Sequence, residues 1–547
     1  MNGDNADFCA VGAVGGTAHP SGYPLYVMWL RAWSWLPGTP AHAAAVATIL
    51  LAVAAVLVLH AACRAWGARP LAASIACALF ATSPIVMRIH TEADVFPLNC
   101  LVCAAVVWLA AAEGPLRGTR RAAVLGLVAG LGIAHNLTCV LVAPIGLYGV
   151  VRGARESSAK AYALAVLGLV VGLLPYAYLL VAPETPVSWG KVDGLTELWH
   201  HVLRRDYGSF KLSPKGDELF VAENLTQLAS SMGRAYLWLP ALAGLGALGY
   251  SIARPDKDTR VGWIALAASL VLAGPVLAAG FNKRPVELGL WLTQRFHIQS
   301  VMLLAIPVAV ALTLAGERVR EQRWKRLGPL AAMAAFLGGA ALSLPFVARV
   351  HSVAIERSLT NLLTTLPPAA IVIGTTDELH FGTGYLQTVL AVRPDVQLIS
   401  LGQVGLPFYR DRIARRSGIV IERPSADEKL SVTIAEQALA TGRPVFIDPY
   451  QANIAQAFST YPYGLVFRVV PRGATPPTVE QVFELNKQLY ARYQFDYAFP
   501  GPGDQLATQI HRNYARAWTM IAQGLEAAGR GQERDEALGI AAELAPR

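Results

Sequence analysis

The sequence predicts a mostly α-helical, polytopic membrane protein of about ten spans, followed by a soluble α/β domain and a C-terminal helical pair. Three observations predict it. Mean hydropathy is +0.41, with 54% hydrophobic and only 15% charged residues, outside the soluble globular range. Apolar runs recur from 42 to 347 at lengths fitting a hydrocarbon core of ~30 Å. After 348 the pattern changes to short strand-like runs alternating with helical ones.

The first element, 1–41, has no apolar span of its own. It carries Asp4 and Asp7 ahead of a Gly-rich run, then the turn His19-Pro20-Ser21-Gly22-Tyr23-Pro24. Two X-Pro bonds pin this backbone, as a floppy tail would not need, so the segment reads as an external loop folded back over the membrane domain. Residues 22–38, with Tyr26, Trp29, Arg31, Trp33 and Trp35, fit an interfacial helix on the outer surface. The acidic start has neither the basic nor the apolar region of a signal peptide.

The second element, 42–348, contains the candidate spans 42–62, 71–87, 98–113, two short pieces within 122–151, then 161–182, 236–253, 261–280, 297–315 and 327–347. Basic residues orient them. Arg64 and Arg69, then Arg117, Arg120 and Arg121, then Arg152, Arg155 and Lys160, then Arg254, Lys257 and Arg260, then Arg318 to Arg326 occupy alternate loops. The positive-inside rule makes these loops cytoplasmic and the tail after 348 extracytoplasmic, in a multi-pass inner-membrane protein. The net charge of +9 is thus a topology signal, and a nucleic-acid partner is excluded. Each half of 122–151 reaches only ~22 Å at 1.5 Å per residue. The apex at His135-Asn136 is therefore expected at or below the outer interface, covered by protein or lining a wet cavity.

The third element, 349–478, reads as a small α/β layer domain, with strands at 370–373, 396–401, 445–448 and 464–470 and helices at 381–391, 430–440 and 451–459. Asp377 follows the first strand and reads as the cap of the next helix. The fourth, 479–547, has helical periodicity at 479–493, 505–529 and 533–544; Tyr514, Trp518, Leu525 and Ala537 resemble one tetratricopeptide-like pair, a cap or docking element. All six cysteines lie at or before Cys139, mostly in or beside apolar spans. They form neither a disulfide framework nor a zinc spacing, and Cys100-x-x-Cys103 reads as packing.

The opening signature Asp4…Asp7-Phe8…His19-Pro20-x-Gly22-Tyr23-Pro24-Leu25-Tyr26 resembles the bacterial relatives of the eukaryotic transmembrane protein O-mannosyltransferases. Thr91-Glu92-Ala93-Asp94, Gly132-Ile133-Ala134-His135-Asn136, Leu174-Pro175-Tyr176, Trp189-Gly190, Gln294-Arg295-Phe296, Thr376-Asp377 and Arg393-Pro394-Asp395 support the resemblance. It implies a GT-C type glycosyltransferase, moving a mannose-like sugar from a polyprenyl-phosphate-linked donor to a protein or glycan acceptor on the extracytoplasmic face. Ser21 stands where the family usually has a second proline. Met1 falls directly before the acidic motif, so the helix that precedes this loop in the family is expected to be missing from the sequence as given.

Such transfer needs a base for the acceptor hydroxyl and cations for the leaving phosphate. Asp4 aligns with the family's leading acid and is the candidate base, with Asp7 orienting the acceptor or helping to hold a metal. Arg295, just ahead of a span, is the candidate phosphate ligand, its planar fork suited to that role. Glu92 and Asp94 are candidates for sugar hydroxyls or a divalent cation, the one cofactor considered. His19, Tyr23, His135 and Asn136 are placed to meet the donor, and Trp189 and Tyr207 offer stacking surfaces. The competing readings are a flippase for a lipid-linked sugar and a non-catalytic anchor displaying the tail domain. Against the flippase, no inverted repeat is visible and the acids cluster outside the membrane midplane.

Overall fold

The apolar runs become helices whose burial separates protein-facing from lipid-facing surfaces. The computed structural model describes residues 3–206, 218–254, 257–318, 321–422, 430–448, 451–501 and 505–547. Contacts divide the chain into two units, Gly15–Pro183 with Val192–Ala348, and Met1–Val14 with Glu184–Lys191 and Arg349–Arg547. The sequence division keeps 1–41 together. The break instead falls after Val14, because the helix Asn5–Val14 packs on the helix Asp377–Thr388 of its own unit.

In the first unit, six helices described here are long and apolar enough to cross a membrane, or eight if two bent pairs each count once. The expected ten also count Phe96–Ala110 and Gly118–His135, of fifteen and eighteen residues. The run 71–87, read as one span, bends by 69° between Pro70–Thr82 and Pro84–His90. Pro84 removes a backbone donor there, and Ser83 ends the first piece in extended conformation. The span expected at 236–253 begins at Leu239 and meets the amphipathic helix Val221–Ala235 at 102°. His297–Arg318 is the central helix, with Ile298, Val301, Leu303, Leu304, Ile306 and Val308 fully buried. By contrast Val166, Leu167 and Val170 on Lys160–Gly172 lie open, as lipid-facing side chains do.

Gly118–His135 and Lys160–Gly172 approach through glycine. A Cβ on Gly126 would lie 1.9 Å from the Ala165 carbonyl oxygen, and one on Gly172 2.3 Å from that of Leu127. Small residues let the two backbones touch, and this contact sets the position of His135 at the helix end.

The second unit holds a five-stranded sheet in the order β2-β1-β3-β5-β4, built from β1 (Ile371–Gly374), β2 (Gln397–Ser400), β3 (Val445–Asp448), β4 (Thr460–Tyr463) and β5 (Val466–Val469). β1 runs parallel to both β2 and β3, whereas β5 is antiparallel to β3 and β4. Ile371, Ile373, Ile399, Val445 and Ile447 form the core with Ile413 and Ile434 from the covering helices. Past Pro476-Pro477 the chain turns helical at Thr478, whose side chain and that of Gln481 make a reciprocal capping box. Trp518, Tyr514 and Phe483 anchor the C-terminal helices.

Candidate functional site

In the membrane unit the site begins with the turn after residue 18. The His19 carbonyl accepts from the Gly22 amide at 2.8 Å. Gly22 sits at φ +82°, and a Cβ there would crowd Leu179 and the His201 ring at 3.0 Å, so the turn requires glycine. Tyr23 is held at φ 45°, a left-handed conformation uncommon for a bulky residue. Two donors anchor the segment: His201 Nε2 to the Ala18 carbonyl at 3.1 Å and the Tyr178 hydroxyl to the Gly16 carbonyl at 3.2 Å. Burial pushes His201 down to about 4, so it donates as a neutral imidazole at neutral pH.

This turn brings sequence-distant candidates together. The His19 and Tyr23 rings are 5.3 Å apart, and Tyr23 meets the fully buried His135 edge-on at 6.4 Å. His135 Nε2 lies 2.8 Å from the Val95 carbonyl. A carbonyl only accepts, so Nε2 carries the proton, and Nδ1, buried without a hydrogen-bond partner among the described residues, presents a lone pair. The Asn136 side-chain oxygen accepts from the Thr138 amide and hydroxyl at 3.0 and 2.9 Å, starting the turn Leu137–Val142. That is a local structural role, which leaves His135 as the member of the apex facing the other candidates. Glu92 and Asp94 are both buried, and Asp94 accepts from the Phe96 amide at 3.3 Å.

Phe96 meets Phe296 edge-on at 5.4 Å, which joins this cluster to the arginines. The Arg295 guanidinium lies 5.9 Å from the centroid of Trp291 and 5.6 Å from that of Phe296. Arg88, buried, lies 5.7 Å from the same Trp291 centroid and reaches the Trp291 carbonyl at 3.5 Å. Two guanidiniums on one indole concentrate positive charge where an anion would be stabilised. Arg88 is the residue that sequence reasoning misses as a site candidate. Its signal is an arginine closing an apolar run just ahead of Glu92 and Asp94.

Asp4 and Asp7 belong to the other unit. Asp7 is 2% exposed, on a helix whose residues Asn5–Gly12 are all buried, and Asp4 is partly buried in the turn just ahead of it, its carbonyl accepting from the Phe8 amide. Asp4 shares its surroundings with Asp377, Glu378 and Asp448. This group stands where β1 and β3 end, the switch point at which the covering helices diverge. Burial, then the charges of Asp377, Asp4 and Asp448, push Glu378 up to about 7, and burial does the same to Asp448. The helix cap expected of Asp377 is made instead by Thr376, whose hydroxyl accepts from the Leu379 amide at 3.3 Å. Trp189, expected as an exposed stacking surface, is 9% exposed and packs against Phe381 and Phe408 at 6.3 and 6.1 Å, so its ring is core. Tyr207 lies outside the described residues. Among the described residues no three His, Cys, Asp or Glu side chains gather as ligands of a metal ion would.

Comparison with known proteins places this geometry in context. Residues 4–159 match the family model described as the Protein O-mannosyl-transferase TMEM260 N-terminal domain. A protein of Mus musculus, Protein O-mannosyl-transferase TMEM260, is 26% identical over 447 residues, covering 76% of this chain and 61% of the mouse protein. Its counterpart from Dictyostelium discoideum is 22% identical over 235 residues, 38% of this chain and 28% of that protein. The chain thus spans about three fifths of the mouse relative's length. A crystal structure of ArnT from Cupriavidus metallidurans bound to undecaprenyl phosphate superposes with a TM-score of 0.52 over 87% of this chain and 95% of that one, at 12% identity. The family model covers the opening motif from which the resemblance was read, and the fold is like that of the ArnT structure.

Proposed function

We propose that this chain is a membrane glycosyltransferase that moves a sugar, mannose-like, from a polyprenyl-phosphate-linked donor to a hydroxyl of a protein acceptor on the extracytoplasmic face. The observation that carries it is the cluster in which His19, Tyr23 and His135 are joined, through the Val95 carbonyl next to Phe96, to Phe296, Arg295, Trp291 and Arg88, assembled from segments far apart in sequence. Ionisable side chains buried in a membrane unit are costly and mark function. The names of the relatives and the lipid phosphate held by the ArnT structure agree in kind with such a site.

In this reading, Arg88 and Arg295 receive the donor phosphate and stabilise its charge as the sugar–oxygen bond to phosphate breaks. The Nδ1 lone pair of His135 accepts from a donor hydroxyl, fixing the sugar's orientation. Asp4 takes the proton of the acceptor hydroxyl as its oxygen bonds to the anomeric carbon, and Asp7 orients the acceptor. Glu92 and Asp94 line the donor side and hold sugar hydroxyls. The test is sugar transfer in vitro: full-length protein in detergent, a polyprenyl-phosphate-mannose donor and a peptide acceptor should give mannosylated peptide. Binding of donor without any transfer to hydroxyl acceptors would defeat the reading.

A further inference from the structure

The α/β-containing unit has a recess of about 500 Å³ walled by the segment 184–191 and by the helices Asp377–Thr388 and Pro407–Ser417. Glu184, Thr185, Gln387, Arg412 and Arg416 line it. A smaller recess of about 60 Å³ shares Gln387, Arg412 and Arg416 and extends to His380. We propose that this recess is a binding site for a polar ligand bearing an anionic group, a carboxylate or a phosphate.

Charge and its placement carry the inference. Arg412 donates to the Pro186 and Ser188 carbonyls, each at 2.8 Å, and its guanidinium lies 5.6 Å from the Phe408 centroid. These neutral partners fix the side chain without cancelling its charge. Arg416 donates to the Pro394 carbonyl at a long 3.5 Å and is exposed. Among the described residues neither arginine makes an ion pair, and Arg415 adds like charge beside them. One carboxylate, Glu184, faces two lining cations. A concave wall with a surplus of guanidinium favours an oxyanion, and the fork of Arg416 can engage two of its oxygens.

The inner end supplies a second, independent signal. Burial pushes His380 down to about 4, so the ring is neutral at pH 7, and its buried Nδ1 has no hydrogen-bond partner among the described residues. The ring packs edge-on against Tyr409 at 5.7 Å and Phe381 at 5.1 Å, which fixes its direction. A buried polar atom without a partner is costly, and a ligand or a water reaching the inner recess would satisfy it. Gln387, fixed by donating to the Arg393 and Val396 carbonyls at 2.9 and 2.8 Å, keeps its side-chain oxygen as an acceptor on the wall, which beside the guanidiniums suits a ligand that is polar throughout, such as an acidic sugar or a phosphorylated one. The site is a property of this unit alone and does not depend on the transfer reaction.

Equilibrium dialysis of the full chain in detergent tests it, with labelled inorganic phosphate and labelled D-glucuronate as separate probes. Saturable one-site binding of at least one probe is expected. Arg416→Ala should weaken it at least ~tenfold, as loss of a charge-assisted fork does. Arg415→Ala removes the same charge from the same helix but does not line the recess, and should change binding less than ~twofold. Both positions are exposed, and equal melting temperatures establish that the variants fold. Binding of phosphate alone would mark a phosphate-bearing ligand, and of glucuronate alone a carboxylated sugar. No saturable binding of either probe up to ~10 mM, or binding that Arg416→Ala leaves intact or both variants weaken alike, would overturn the proposal.

Discussion

Removing the Arg295 guanidinium is the sharpest perturbation of the proposed donor site. Arg295 and the buried Arg88 lie 5.9 and 5.7 Å from one ring centroid, that of Trp291, so both bear on the same small volume. A phosphate bound there is largely desolvated, and loss of one partner of such a pair costs roughly 2–5 kcal/mol, a factor of about 30 to 4,000 in affinity. Arg295→Ala should therefore lower donor use by that factor with every acceptor. Arg295→Lys should fall in between, because it keeps the charge and loses the planar fork. Arg88→Ala should act on the same term. In the double variant the two losses should fail to add by ~0.5–3 kcal/mol, because both arginines serve one anion. The assay is initial transfer rate against donor concentration in detergent, with melting temperature measured in parallel. Full donor use by Arg295→Ala, or a loss seen with only one acceptor, would refute the reasoning.

Three further outcomes follow from particular residues. Glu378 binds its proton up to about pH 7 in the folded chain, against an ordinary value of 4.5, so between those values folding holds a proton that the unfolded chain has released. Stability should then fall as pH rises through this window, by up to ~3 kcal/mol, and Glu378→Gln should raise the melting temperature more at pH 8 than at pH 5. A gain equal at both values would rule out Glu378 as the cause. Gly126→Ala should lower the melting temperature through ~1–3 kcal/mol of overpacking against the Ala165 carbonyl, while Gly246→Ala, with open space around it, should be neutral. Reporters fused at residues 155, 258, 322 and 400 should read cytoplasmic three times and then extracytoplasmic; a cytoplasmic signal at 400 would reverse the proposed topology.

What the sequence conveyed followed from periodicity and composition. The apolar runs at 42–62 and 297–315 recur in the helices Pro40–Ala65 and His297–Arg318, and the strand runs of the tail recur in β1, β2, β3 and β5. Strand β4, Thr460–Tyr463, carries a proline and alternates weakly, as an edge strand can. Pro84 was visible, but a 69° bend depends on neighbouring helices as well as on the missing donor. Trp189, a stacking surface by its place in an external loop, is instead buried by Phe381 and Phe408, some two hundred residues on. A still greater separation hides the grouping of Asp4 with Glu378 and Asp448, since no local pattern encodes which remote helix covers a buried segment. Arg88 became a candidate only through Trp291, a contact across two hundred and three positions.

The most direct test of the central claim is transfer by purified protein in detergent, compared between the wild type and Asp4→Asn in a chain that includes any helix preceding Asp4. Sugar transfer needs no sealed compartment, whereas transport does. Mannosyl transfer from the polyprenyl-phosphate donor is expected in detergent, with a loss of at least ~100-fold for Asp4→Asn and donor binding preserved, because the substitution is isosteric. Asp7→Asn should lose less. Donor turnover confined to sealed vesicles, or full transfer by Asp4→Asn and Asp7→Asn alike, would contradict it.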